Sequence, residues 1–237
     1  MQTIPISLID VMILCGGQGT RLRKVVDDRP KPMAEISGRP FLDFIIEHVA
    51  SYGFRRFILC SGYKSMHITD YYINLDDELT YIISEEKSRL GTAGAVKNAK
   101  HLTTSKHILV LNGDSYCPAN LQHLLDFHFN KNSKTTIVLA KIENPKDFGV
   151  ITTSQQEIIT GFNEKKTISG PGLVNAGIYL FNSNVVNSIP QRYPISLETE
   201  FFPTLIKKDT IYGFTSHKNL IDIGTPERLE EAKNFLV

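Results

Sequence analysis

Three glycines, a threonine and an arginine stand together in LCGGQGTRL (residues 14–22), directly after an apolar run. Glycines at such a corner let a ligand come close to the backbone, whose exposed N–H groups can gather round an anion. The stretch is not a Walker loop, because no glycine precedes a Lys-Ser/Thr pair. It is not a dinucleotide fingerprint either, which would need glycine where Leu22 stands. Just downstream, RPKPM (29–33) holds Lys31 between two prolines on a stiff, extended segment. Further Gly-, Asp- or Lys-bearing pieces follow: LGTAGA (90–95), NGDS (112–115), FNEK (162–165), NAGIY (175–179) and IDIGTPE (221–227). Their chemistry is that of phosphate, cation and hydroxyl handling. The seven histidines show no HxH or HExxH spacing and suggest no metal site.

The elements that must position these residues can be read from apolar periodicity. Strands are expected at 10–15, 56–61, 79–84 and 107–112, alternating with helical patterns at 40–53, 65–75, 93–101 and about 119–130. That alternation predicts a mainly parallel sheet flanked by helices, with ligands beyond the carboxyl ends of its strands. The second half changes texture, with strands at 135–142, 148–153, 157–163 and 174–181 broken by Gly, Asn and Pro turns. Helices about 198–208, a strand near 210–217, and a last helix capped by Thr225 with Pro226 in its first turn close the chain. The expected fold is therefore α/β and Rossmann-like, a mixed sheet with a smaller inserted β lobe, in one continuous domain over 1–237. The stripe Phe41, Phe44, Ile45, His48, Val49 and Tyr52 is read as a core-facing helix face, and His123 and His128 as helix-surface residues.

Composition narrows the function. A chain of 237 residues, 41% hydrophobic, can bury a full-sized core. Its 26 basic against 25 acidic residues argue against a nucleic-acid or membrane surface, so any phosphate site must be locally basic. Cys15, Cys60 and Cys117 form no CxxC, and Cys15 and Cys60 lie in apolar runs as packing residues. Unpaired cysteines, no leader-like N-terminus and no apolar run of about 18 residues point to a cytoplasmic protein.

Taken in order, GGQGTRL, PKPM, LGTAGA, NGD, EK, NAGIY and IDIGTPE resemble the sugar-nucleotidyltransferases, from about residue 10 to the C-terminus. The resemblance implies an enzyme that joins a sugar 1-phosphate to a nucleoside triphosphate and releases pyrophosphate. It leans to the heptose 1-phosphate guanylyltransferases, on the short chain, PKPM, and EK followed by NAGIY. Mannose-1-phosphate guanylyltransferases, and enzymes using UTP, CTP or dTTP, are the alternatives. A sugar-nucleotide sensor without turnover is the non-enzyme alternative. The product would be GDP-heptose for lipopolysaccharide, S-layer or capsule glycans, and nothing bars a homo-oligomer.

The resemblance also distributes roles. The nucleotide-binding half would run over about 8–130 and the sugar-binding half over about 131–237. Gly16, Gly17, Gly19 and Thr20 would cradle the triphosphate of GTP, with Arg21 against the departing pyrophosphate. Leu14, Gly16, Gly17 and the EEKSRLGTAGA segment (85–95), in which Gly91 and Thr92 lie near a helix start, would meet the base. Lys31 would sit near the reacting centre, and Lys165 would hold the sugar phosphate. Glu164, Gly149 and Asn175, with Glu198, would line the sugar pocket. Asp114 and Asp222, each after an apolar strand, would hold Mg2+, which prefers hard oxygen ligands. Read singly, several have plainer explanations: Asp114 as a helix cap, Asp222 as a turn residue, Lys165 as part of a solvated charge run, Asn175 as a backbone partner, Glu198 as the first-turn acid of a helix.

Overall fold

A computed structural model describes residues 5–17, 19, 22, 26–146, 148–163 and 170–236. The apolar run after residue 9 forms strand β1 (Asp10–Leu14). Two short strands, β2 (Glu35–Ile36) and β3 (Arg39–Pro40), lead into helix α1 (Phe41–Ser51), with Pro40 just outside it. There follow β4 (Arg56–Ser61), α2 (Ser65–Tyr72), β5 (Thr80–Glu85), α3 (Gly91–Ala99), β6 (His107–Asn112), β7 (Ser115–Tyr116) and α4 (Leu121–Asn130). The second half adds β8 (Thr135–Ile142), β9 (Val150–Thr153), β10 (Ile159–Asn163), β11 (Gly172–Asn182), α5 (Ser183–Asn187), α6 (Phe202–Leu205), β12 (Tyr212–Ser216), β13 (Ile221–Asp222) and α7 (Pro226–Phe235).

Among the described residues, nine of these strands make one mixed sheet. β6, β1, β4 and β5 lie side by side and parallel. The long β11 runs antiparallel to β6, and β8 to β11, while β12 returns parallel to β8. β9 and β10 extend the sheet beside the first half of β11. The irregular strands of the second half thus continue the parallel sheet of the first. Alternate side chains supply its two faces, as a pleated strand requires. Val11, Ile13, Phe57, Leu59, Leu109 and Leu111 pack beneath α1, α4 and α7. Met12, Ile58, Val110, Tyr179 and Phe181 pack beneath α3, α5 and α6. Each such side chain, buried completely, contributes about 1.5–3 kcal/mol. No helix among the described residues is long and apolar enough to cross a membrane.

Some readings need correction. The helices expected about 198–208 are a π turn, Leu197–Phe201, and the short α6, which ends at Leu205; Pro203 in its first turn lacks an N–H to donate. The buried face of α1 is Phe41, Leu42, Ile45, Ile46 and Val49; Phe44, His48 and Tyr52 are half-buried at its margin. His123 is exposed as expected, but His128 is buried, its Nδ1 2.8 Å from Thr136 Oγ1 and its Nε2 3.2 Å from His107 Nδ1. Burial, and then the neighbouring His107, push its pKa down to about 3, so it packs as a neutral ring. Cys15, Cys60 and Cys117 are all buried free thiols.

One buried charge anchors the amino end of β1. Asp10 is only 1% exposed, yet it pairs with Arg56 of β4 and accepts N–H bonds from Thr104 (2.6 Å) and Ser105 (2.8 Å). Burial works to raise its pKa; the amides of Ser105 and Thr104 and the Arg56 guanidinium outweigh it, and the carboxyl stays below its ordinary value. Asp10→Asn leaves these donors without an anion and should cost about 3 kcal/mol in urea unfolding, the lower end for breaking a buried pair. Because the folded pKa lies below the unfolded one of about 3.9, this stabilisation is complete above that value and lost as pH falls through the folded one. The gap between wild type and Asp10→Asn should therefore narrow below about pH 4; a gap that widened there would contradict this account.

Candidate active site

The carboxyl ends of β6, β1, β4 and β5 line up, and the ladder continues one step beyond them. Cys15 N–H bonds to Cys60 O (2.8 Å), Gly113 N–H to Leu14 O (3.0 Å) and Glu86 N–H to Ser61 O (2.8 Å). These bonds fix the starts of three loops at one edge: the glycine loop, NGDS and the segment after β5. Between them opens a cleft of about 760 Å³. Leu14, Gly16, Gly17, Gly19, Lys31, Gly91, Thr92 and Asp114 of the expected site line it. Arg21 and Thr20, and Glu164 and Lys165, lie outside the described residues.

Lys31 comes from a 3-10 turn, Lys31–Met33, whose prolines hold it against the sheet edge. Its Nζ is 2.6 Å from Asp114 Oδ2, and its side chain is 11% exposed against 41% for Asp114. The cation thus sits deeper in the cleft than the carboxylate it contacts. Asp222 reaches the same neighbourhood through backbone pairing. β13 pairs antiparallel with β7, setting Asp222 opposite Ser115, and Ile223 N–H bonds to Asp114 O at 3.1 Å. The Asp222 carboxylate accepts from Gly224 N–H (2.7 Å) through Oδ1 and from Arg228 (2.5 Å) through Oδ2. Among the described residues no three His, Cys, Asp or Glu side chains gather as a metal site. A cation held by Asp114 and Asp222 would take its other oxygens from substrate and water, a donor set that suits Mg2+.

The remaining expected residues stand further back. Glu198 takes hydroxyl hydrogen bonds from Thr92 (2.8 Å), Ser196 (2.8 Å) and Tyr179 (3.1 Å). It forms a layer behind the cleft-lining Thr92 and Ser196. Asn175 gives an N–H to the Tyr179 hydroxyl (2.8 Å) and accepts the Gly177 N–H (2.9 Å), so it also serves the backbone of β11. Gly149, exposed, precedes β9 away from the cleft lining. Gly91 is set by packing as well as by the cleft: its φ is +75°, and a Cβ there would lie 2.4 Å from Ile195 O. That same carbonyl takes the amides of Ala93 and Gly94 at the start of α3.

The EEKSRLGTAGA segment expected to meet the base contains Glu86, which the sequence reading did not single out and which lines one wall. A Cβ on Gly16 would lie 2.8 Å from Glu86 Oε1, so the glycine is what lets this carboxylate lean over the loop. Burial raises the Glu86 pKa, partly opposed by the Leu90 amide bonded to it. Its position one residue beyond a strand end was the available signal. Asn112 and Ser196 line the cleft as well.

The arrangement is a glycine loop, a lysine, two carboxylates brought together by the β7–β13 pair and a glutamate wall. The pattern of the family described as Nucleotidyl transferase matches residues 10–237. D-glycero-alpha-D-manno-heptose 1-phosphate guanylyltransferase of Aneurinibacillus thermoaerophilus is 32% identical over 228 residues, 96% of this chain and 98% of that protein. Mannose-1-phosphate guanylyltransferase of Mycobacterium tuberculosis is 34% identical over 224 residues, 92% of this chain. The match spans only 62% of that enzyme's length. The crystal structure of HddC from Yersinia pseudotuberculosis complexed with GMP-PN superposes with a TM-score of 0.85 at 30% identity, covering 97% of this chain and 100% of that one. With its sheet, cleft and motifs all inside the matched span, the chain belongs to the nucleotidyl transferase family.

Proposed function

We propose that the protein is a sugar-1-phosphate guanylyltransferase, joining D-glycero-α-D-manno-heptose 1-phosphate to GTP with release of pyrophosphate. Mannose 1-phosphate is the second reading of the sugar, since a relative named for each lies at similar identity. The observation that carries the guanine assignment is Glu86 against Gly16. Guanine presents two neighbouring donors, N1–H and N2–H, which an ionised carboxylate can accept together. Adenine presents an acceptor at N1, and uracil flanks its single N–H with carbonyls, so both leave such a wall mismatched.

The chemistry asks little covalent help of the protein. A sugar phosphate has a second pKa near 6 and is nearly dianionic at neutral pH. Its oxygen forms the new bond to the α-phosphorus, the bridge to the β-phosphate breaks, and the electron pair leaves on pyrophosphate. The obstacle is repulsion, about 3 kcal/mol per pair of unit charges at ~5 Å and an effective dielectric near 20. The amides of Gly16, Gly17 and Gly19 and the ammonium of Lys31 offset it at one end of the cleft. Lys31 would exchange Asp114 for phosphate oxygens as substrate arrives. Arg21 and Lys165 would take the pyrophosphate and the sugar phosphate, with Thr20 at the loop and Glu164 on sugar hydroxyls. Thr92 and Ser196, braced by Glu198, would form the wall where the two substrates meet, with Asn175 and Gly149 on the sugar side. Asp114 and Asp222 would hold Mg2+, which when bound adds charge neutralisation at the α-phosphate. The halves about 8–130 and 131–237 would serve nucleotide and sugar respectively, in a cytoplasmic enzyme supplied with both.

Two measurements test this. Pyrophosphate release from GTP, UTP, CTP and dTTP with either manno-configured sugar phosphate, products weighed by mass spectrometry, should single out GTP, with the heptose favoured. Faster turnover of UTP or dTTP would refute the guanine assignment. Glu86→Gln puts a donor where an acceptor stood and should lower kcat/KM for GTP roughly 10- to 150-fold, the range for a charged hydrogen bond. The low activity with UTP should stay within threefold of wild type; equal losses on both nucleotides would deny Glu86 a part in choosing the base.

A further inference from the structure

The site described so far leaves Arg228 unassigned, although it touches both Asp222 and Phe148. Its Nη1 is 2.5 Å from Asp222 Oδ2, and its guanidinium lies over the Phe148 ring at 4.9 Å. Phe148 directly precedes Gly149 and the start of β9. Arg228 sits in the first turn of α7, where Thr225 Oγ1 accepts its backbone N–H at 3.4 Å. The two charged side chains are largely sheltered, 21% exposed for Arg228 and 14% for Asp222.

We infer that Arg228 is a positioning residue that sets the Asp222 carboxylate for a divalent cation and ties it to the Phe148–Gly149 loop. The inference rests on the guanylyltransferase reading for what the cation does, but its geometry stands on contacts alone. A carboxylate offers about four lone-pair directions. Gly224 N–H takes one on Oδ1 and Arg228 one on Oδ2, which fixes the rotation of the group and leaves a direction on each oxygen for a ligand. Arg228 is itself held by the phenyl face, a contact that suits a flat guanidinium and that an ammonium reproduces poorly. The cap on α7 holds the backbone of the same residue. Partners that orient metal ligands in this way are worth 10- to 100-fold in metal affinity.

The test reads the metal directly. Mn2+ is titrated by electron paramagnetic resonance into the full chain with guanosine 5′-(α,β-methylene)triphosphate, which cannot be cleaved at the reacting bond. Arg228→Gln should weaken Mn2+ about 10- to 100-fold. Arg228→Lys should recover part of that loss, and Phe148→Leu should show a smaller one of about two- to fivefold. Should Arg228→Gln fail to fold by circular dichroism, the Lys and Phe148 variants decide the matter, since both keep a cation beside Asp222. Mn2+ affinity unchanged within twofold, or tightened, in the folded Arg228 variants would overturn the inference, because the arginine would then be a spectator or a competitor. Wild-type turnover is measured in parallel. A protein that releases no pyrophosphate ends the guanylyltransferase reading, whereas metal binding indifferent to Arg228 ends only this one.

Discussion

Two residues of strand decide whether Asp222 joins Asp114 at one strand end. Asp114 follows β6 within the first half, while Asp222 belongs to the last segment before α7, and no packing of their side chains on each other would bring like charges together. The backbone does it: β7 and β13 pair, Ile223 bonds to the Asp114 carbonyl, and the hydrogen bonds outweigh the repulsion they enforce. Each carboxylate then keeps its own cation, Lys31 on one side and Arg228 on the other. The result is a charge arrangement that is balanced at rest and that, on the proposed reading, a triphosphate would unbalance by taking Lys31.

The same strand ends explain why the other pieces converge. In a parallel sheet every loop after a strand emerges on the same edge, so the glycine loop, the Glu86 segment and NGDS become neighbours without being neighbours in sequence. Extension of the ladder by the Cys15, Gly113 and Glu86 amides stiffens their first residues. The segment carrying Ser196 is strapped to α3, with the Ile195 carbonyl on the Ala93 and Gly94 amides and the Leu197 N–H on the Thr92 hydroxyl, and Thr92 and Ser196 both line the cleft.

What could be read without coordinates follows from this division. β1, β4, β6 and β8 were legible because they are apolar runs bounded by breakers. The cleft-lining residues were legible because glycine, lysine and aspartate at strand ends have few other reasons to stand in that order. The layer behind them was not. Glu198 shares a network with Thr92 and Tyr179 across 106 and 19 positions of sequence, which no local pattern marks. Asn175 was ambiguous for a related reason: its carboxamide can serve a bulge in β11 or a ligand, and the sequence looks identical either way. His128 was misread because a helix wheel shows only that a face is polar; Thr136 and His107, which make that face interior, come from two strands.

Glu86 shows how a base preference can be encoded by one wall. An acidic residue in a phosphate-binding cleft is at first sight a mistake, since it adds to the repulsion that Lys31 and the loop amides must offset. Its position resolves the conflict. It leans over Gly16 at the β5 end of the cleft, three strand positions from β6 and Asp114, and is half-buried against Leu90 N–H. On the proposed reading a carboxylate there would face the base, the part of a nucleotide that carries no charge and whose donors need an acceptor. Burial raises its pKa, and a pair of base N–H groups donating to it would restore the interactions that burial removed. On that reading the cleft would be cationic at its phosphate end and acidic at its base end, with the glycine at 16 making room for Glu86.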